Sequence, residues 1–175
     1  MPFVTRVRVP RRAQPALRLQ SGDHQWSICY PDPDDPIVIA GFGEAAMLAT
    51  AVLDLEVHRE VLVLLDPRRH VTALLLDPPA EVGLLVGMSD LPGVEAPFSQ
   101  TMSILLQERV QVGPPTDDDR RGYHGLRRAH MAQGLLLLDV LITDGDVVRS
   151  LAIGCDPEPV WFDDWEPLAD DDTAA

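Results

Sequence analysis

Residues 113–154 constrain the fold of this chain more than any other stretch, because strong local signals follow one another there. Thr116 is a favourable N-cap residue, and the three aspartates after it suit the positive end of a helix dipole. Gly134 stands where a helix commonly ends. The segment therefore predicts a helix followed by a buried strand, a tight turn and a returning strand, at Leu135 to Thr143, Asp144-Gly145 and Val147 to Ile153.

Apolar patterns elsewhere predict further strands and helices. Val61 to Asp66 and Val71 to Asp77 are continuous apolar runs with a short connection, which predicts an antiparallel hairpin buried on both faces. Leu48 and Val52 fall at helical spacing in a segment rich in helix formers. Weaker signals predict a strand, a helix and a strand at Trp26 to Tyr30, Pro79 to Met88 and Met102 to Val110. The fold class predicted is α/β (α+β), a mixed central sheet flanked by helices.

The length and composition are typical of one domain, here with charged segments at both ends. The chain has 175 residues, 46% of them hydrophobic, and no apolar run is long enough for a membrane helix. A cytoplasmic protein without membrane contact is the simplest interpretation, and Cys29 and Cys155 are expected to be reduced. We divide the chain into a basic arm (1–22), an α/β domain (23–155) and an acidic aromatic C-terminal tail (156–175).

Charge limits the partners of the domain. The net charge of −14 argues against nucleic-acid binding by its body, because a phosphate backbone would be repelled. Only the arm, which includes Arg11 and Arg12, suits such contact. The tail combines eight acids with Trp161, Phe162 and Trp165. These aromatics either bind a basic, apolar groove on a partner or fold back to cover the sheet or a dimer interface.

Residues Glu56 to Gly154 resemble the RadC branch of the JAB/MPN metalloprotease fold in the order and spacing of their elements. The retained motif residues are Pro115, Thr116 and Asp119 of a P-S-x-x-D element that opens a helix, and Leu137, Leu138, Asp139 and Ile142 of an L-L-D-H-x-I strand. In active members of that family the helix aspartate is a zinc ligand, and two histidines and a water complete a tetrahedral site. The resemblance therefore implies a JAB/MPN-like sheet with a vestigial site at Thr116, Asp119, His58 and Glu60.

The other groups of such a site are not found. The histidine pair should stand near Leu106 to Arg109, where the chain has Leu, Gln, Glu and Arg. The general-base glutamate corresponds by spacing to His58, with Glu56 and Glu60 nearby. A zinc hydrolase needs ligands and base together, because the metal acidifies a water whose proton the base removes. We therefore expect no cofactor, with zinc at Asp119 as the alternative.

The retained residues also have a structural interpretation. Thr116 with Asp119 three residues later is a variant capping box, worth about 1 kcal/mol without any metal. His124 and His130 lie on different faces of the same helix, so they cannot chelate one ion. No catalytic triad is legible from spacing alone.

Three hypotheses follow. The first is a non-catalytic JAB/MPN-like (RadC-like) domain that acts as a protein-interaction or assembly module, binding a protein partner or forming a homo-oligomer through its arm and tail. The second is a divergent hydrolase using Asp119 and carboxylates such as Glu56, Glu60 or Glu108. The third is an acidic regulator that mimics nucleic-acid charge. A closed site filled by Leu106 and Arg109 would favour the first.

Overall fold

The structure is a computed structural model that describes residues 17–21, 23–53, 59–78, 101–132 and 135–155. Seven strands and three helices are defined within these ranges. In chain order they are β1 (Leu17–Ser21), β2 (His24–Cys29), α1 (Phe42–Leu53), β3 (Glu60–Leu65), β4 (Val71–Leu76), β5 (Thr101–Glu108), α2 (Asp117–Ala132), β6 (Leu135–Thr143), β7 (Val148–Ser150) and α3 (Leu151–Cys155).

The strands form one mixed sheet in the order β1-β2-β4-β3-β5-β6-β7. Only β5 and β6 run parallel, and every other neighbouring pair is antiparallel. A parallel pair requires a crossover, and α2 supplies it by returning the chain from the end of β5 to the start of β6. Because β5 and β6 are parallel, both end at the same edge of the sheet, where α2 also begins.

Helices cover both faces of this sheet, which explains the continuous apolar runs of β3, β4 and β6. On one face α1 packs Leu48 and Val52 against residues such as Val63 and Leu106. On the other face Tyr123 of α2 and residues of α3 pack against a second cluster that includes Leu62 and Leu105. The predicted α/β (α+β) class, a mixed sheet flanked by helices, is confirmed.

The predicted elements match closely, with one correction. The hairpin, the strand at Trp26, the helix after Thr116 and the strand from Leu135 to Thr143 all form. The returning strand was predicted to extend from Val147 to Ile153, but β7 ends at Ser150 and α3 begins at once. The hydroxyl of Ser150 accepts a hydrogen bond from the Ile153 amide, which caps the helix and stops the strand.

Parts of the predicted termini and loops lie outside the described residues. These are Arg11, Arg12, Glu56, His58, the helix at Pro79 to Met88, and Trp161, Phe162 and Trp165 of the tail. Residues 17–21 of the predicted arm form the edge strand β1. None of the helices in the described ranges has the length and apolar character needed to cross a membrane.

Candidate functional site

The candidate site lies at the sheet edge where β5 and β6 end and α2 begins. The Arg109 amide, just after β5, donates to the Thr143 carbonyl at the end of β6 across 2.8 Å. The Val112 amide donates to Oδ2 of Asp144 across 3.2 Å. These two bonds hold the loop between β5 and α2 against the turn that follows β6. The loop therefore delivers Arg109 to the first turn of α2.

Asp119 is held by three donors. Its Oδ2 accepts hydrogen bonds from the Thr116 amide and the Thr116 hydroxyl, both at 2.8 Å. In return, the Asp119 amide donates to Thr116 Oγ1 across 3.2 Å, so the two residues form the reciprocal capping box that the sequence indicates. Its Oδ1 accepts a hydrogen bond from Nη1 of Arg109 at 2.6 Å. The carboxylate therefore joins the start of α2 to the end of β5.

The environment of Asp119 favours its charged form. The Thr116 amide contributes most to lowering the pKa of this carboxyl, from 3.8 to about 2. The hydrogen bonds from Arg109 and the Thr116 hydroxyl and the positive charge of Arg109 add to it, while partial desolvation opposes them. The Asp119 side chain is 12% exposed and that of Arg109 is 36% exposed, so the ion pair is partly shielded from water.

Gln107 and Glu60 form a second polar contact near the same edge. They are register partners on β5 and β3, and Nε2 of Gln107 donates to Oε2 of Glu60 across 2.9 Å. Because strand residues alternate, Gln107 shares the α2 face of the sheet with Leu105. The Glu60 carboxylate therefore accepts a hydrogen bond from the side-chain amide of Gln107.

Leu106 does not lie in this site, although its presence there would have favoured the first hypothesis. It is buried in the apolar cluster beneath α1, on the opposite face of the sheet from Asp119. Leu106 and Gln107 are neighbours on β5, and neighbouring strand residues point to opposite faces of the sheet. Of the two residues whose presence would favour the first hypothesis, Arg109 lies at the site and Leu106 does not.

The residues at this edge do not fit a zinc ion. Among the described residues, no group of three or more His, Cys, Asp or Glu side chains is placed to hold a metal. The oxygens of Asp119 already accept three hydrogen bonds, one of them from a guanidinium cation. A zinc ion there would have to displace Arg109, and the neighbouring Gln107 offers a neutral amide. His58 and Glu56 lie outside the described residues.

A buried serine–histidine contact escaped sequence reasoning. Ser103 Oγ of β5 and His130 Nδ1 of α2 are 3.0 Å apart, and both side chains are fully buried. The residues are 27 positions apart, so spacing could not pair them, although a serine inside an apolar strand was a usable signal. Burial keeps this pair from substrate, and its role in this arrangement is to join α2 to β5. His124, in contrast, is exposed on the surface of α2.

A buried carboxylate on β6 was also missed as a structural element. Asp139 Oδ1 accepts a hydrogen bond from the Ala152 amide at 2.9 Å, and Oδ2 accepts one from the Ser150 hydroxyl. An aspartate within the apolar run LLLLDVLI was the available signal. Asp139 thus holds the first turn of α3 against β6, because a buried carboxylate requires hydrogen-bond donors.

Comparison with known proteins found no protein-family model, no curated protein and no solved structure that matches this chain. A relationship to the JAB/MPN family therefore rests on the motif residues Pro115, Thr116 and Asp119 and on the order of the elements around them.

Proposed function

We propose that this chain is a non-catalytic JAB/MPN-like domain that serves as a protein-interaction or assembly module. The ion pair between Arg109 and Asp119 is the observation that carries the proposal. In the resembled family, the helix aspartate would bind zinc together with histidines from the preceding strand. Here an arginine from the end of β5 supplies the positive charge, so the same carboxylate stabilises the fold instead of binding a metal.

The contacts around the pair disfavour the divergent hydrolase. Activation of water by zinc requires a metal with an open coordination position and a base that accepts the proton. Asp119 is occupied by three donors, and the Glu60 carboxylate is hydrogen-bonded to Gln107. The buried Ser103 and His130 offer no open nucleophile. A binding role requires none of these groups to be reactive.

The edge that holds this pair also presents apolar side chains. Val110 is fully exposed just after β5, and Val147, in the turn after β6, is also exposed. The loop that carries Val110 is fixed to the turn by the bond between Val112 and Asp144. A rigid edge with exposed apolar residues suits protein contact. The arm, with Arg11 and Arg12, and the tail, with Trp161, Phe162 and Trp165, complete the proposed contact surfaces.

A gain-of-metal experiment tests the proposed relationship. Gln107 and Arg109 occupy alternate positions along β5 and its extension, so they project toward the same side of the sheet as α2. The double variant Gln107→His and Arg109→His would place two imidazoles near Asp119. We expect this variant to bind one zinc ion per chain, measured by native mass spectrometry and by calorimetric titration. Two histidines and one carboxylate suffice to hold zinc with an open position.

The control adds Asp119→Asn to the double variant, which should abolish the gain. A second control, Leu106→His with Glu108→His, moves both imidazoles by one residue and should bind no zinc through Asp119, because Leu106 faces α1. Zinc binding by neither histidine pair would refute the placement of Asp119 at a former metal site. Equal binding by both pairs would refute it as well, since surface histidines would then explain the result.

The interaction role has its own test. Affinity capture of the tagged chain from its native cells should recover a protein partner that is retained by Asp119→Ala. Capture of that partner should be lost with Trp161→Ala and Trp165→Ala, or with Arg11→Glu and Arg12→Glu. Sedimentation analysis of the same variants would reveal a homo-oligomer. A chain that is monomeric and captures the same proteins in every variant would contradict the interaction role.

A further inference from the structure

One flank of α2 and the adjoining α3 form a basic and apolar surface. Asp119 and His130 of α2 reach β5 through Arg109 and Ser103, so one flank of the helix is turned toward β5. Helical geometry places Arg127 and Met131 on the other flank, on the side of β6, β7 and α3. Helix α3 packs against α2. We name the α2–α3 surface by its five residues, Arg127, Arg128, Met131, Arg149 and Ile153.

Exposed apolar groups and positive charges are combined on the α2–α3 surface. Met131 is 59% exposed and Ile153 is 52% exposed. Arg149 lies on the α2 side of β7, because its neighbour Val148 packs on the α1 side. No acidic residue occurs in α2 after Asp119 or in α3. Asp139 of β6 is buried and directs both of its oxygens to the start of α3.

Two arginines of this surface, Arg128 and Arg149, form no ion pair with any carboxylate in the described ranges. The Nε atom of Arg149 is buried, and within the described part of the chain it has no hydrogen-bond partner. A buried donor of this kind normally has an acceptor, and leaving it without one is unfavourable. Arg128 is exposed and forms no ion pair with any carboxylate in the described ranges. A carboxylate from outside the described ranges would pair with both guanidinium groups.

We propose that residues 156–175 of the same chain dock on the α2–α3 surface. This segment begins directly after Cys155, the last residue of α3, so it starts beside the surface. It carries eight acidic residues and no basic residue, and its three large aromatics are Trp161, Phe162 and Trp165. The acids complement Arg128 and Arg149, and the aromatics cover Met131 and Ile153.

The reach of the tail and its high effective concentration favour binding of this segment over binding of a separate molecule. The six residue-to-residue steps from Cys155 to Trp161 span at most about 20 Å when extended, which is enough to cross a neighbouring helix. A short flexible tether maintains its ligand at an effective concentration of about 1 mM. Carboxylate–guanidinium bonds and buried tryptophan are among the stronger sources of binding energy. A modest intrinsic affinity is therefore sufficient for the tail to remain docked.

This contact would regulate the surface that it covers. A protein partner that binds the α2–α3 surface or the tail aromatics must first displace the tail, so its apparent affinity falls in proportion to the docked fraction. The inference goes beyond the proposed function and does not depend on it. Docking of the tail does not depend on whether the domain is related to a metal-binding family.

Fluorine NMR of the intact chain labelled with 5-fluorotryptophan tests the proposal. The chain has three tryptophans, and Trp26 is buried in the core, so its resonance reports on folding in every sample. A synthetic peptide of residues 156–175 with the same label gives the resonance positions of an undocked tail. In the intact chain, we expect the Trp161 and Trp165 resonances to be displaced from those positions.

Arg128→Glu with Met131→Ser should shift both tail resonances toward their peptide positions and leave Trp26 unchanged. Both residues are exposed, so the substitutions preserve the core. The matched control, Arg59→Glu with Met47→Ser, makes the same changes at exposed residues just before β3 and on α1 and should leave all three resonances in place. Tail resonances that coincide with the peptide in the unsubstituted chain would overturn the proposal. So would displacement that disappears on dilution, because the tail would then bind a second copy.

Discussion

The effect of Asp119→Ala on the free energy of unfolding is an informative test of how Asp119 acts at this site. The variant loses the capping box with Thr116, worth about 1 kcal/mol, and the bond to Arg109. A partly exposed ion pair contributes about 0.5–1 kcal/mol. We therefore expect the free energy of unfolding to fall by about 1.5–2 kcal/mol, measured by urea titration with tryptophan fluorescence and circular dichroism.

The lowered pKa of Asp119 gives a second value for the stabilisation that this carboxylate provides. A carboxyl pKa lowered from 3.8 to about 2 corresponds to about 2.4 kcal/mol of stabilisation as an upper limit. Because Arg109 is about one-third exposed, solvent screening reduces this value toward the lower estimate. The folded pKa lies below the unfolded one, so the contribution is fully present well above pH 3.8. It is lost as the pH falls through the folded value of about 2.

The deficit of Asp119→Ala should therefore be constant near neutral pH and shrink between about pH 5 and about pH 2. Asp118→Ala is the matched control, since it removes the same charge from an exposed neighbour whose partner among the described residues is Arg121, and it should cost less than about 0.5 kcal/mol. The reasoning is refuted if both variants lose equal stability at neutral pH. It also fails if a chelator alone reproduces the loss caused by Asp119→Ala, because a bound metal would then supply the stabilisation.

Three further substitutions test the packing and the backbone around the site. Ser103→Ala removes the hydroxyl beside His130 Nδ1 in the core and should cost about 1–2 kcal/mol by urea titration, whereas no change would mean that this contact is not formed. Gly145→Ala should cost about 1 kcal/mol or more, because Gly145 has φ of +98°. Gly125→Ala should instead stabilise α2 by about 0.5–1 kcal/mol, since an added Cβ would meet no atom within 4 Å, and the opposite order of these two effects would contradict the backbone described.

Local signals predicted much of the fold. The strand from Leu135 to Thr143 is bounded by Gly134 and by the Asp144-Gly145 turn, so neighbouring residues were sufficient to define it. The capping box of Thr116 and Asp119 spans three residues and was equally legible. Such features depend on short stretches of chain, where propensity and hydrogen bonding act without help from the rest of the fold.

Features that depend on distant residues were not predictable. Whether Leu106 or Gln107 faces α2 depends on the register of β5, which differs by a single residue between the two cases. The end of β7 at Ser150 depends on Asp139, which is 11 positions away and holds the first turn of α3. The role of Arg109 emerged only when α2 was placed beside the end of β5. Long-range packing decided each of these points.

The central claim is that Asp119 caps α2 and pairs with Arg109 instead of binding a metal. The most direct measurement is zinc content per chain, by elemental analysis and native mass spectrometry, of the untagged protein purified without chelator and then offered zinc. Asp119→Ala is analysed in parallel. We predict no stoichiometric zinc that depends on Asp119. One zinc ion per chain in the unsubstituted protein that is lost in Asp119→Ala would contradict the claim and restore the hydrolase hypothesis.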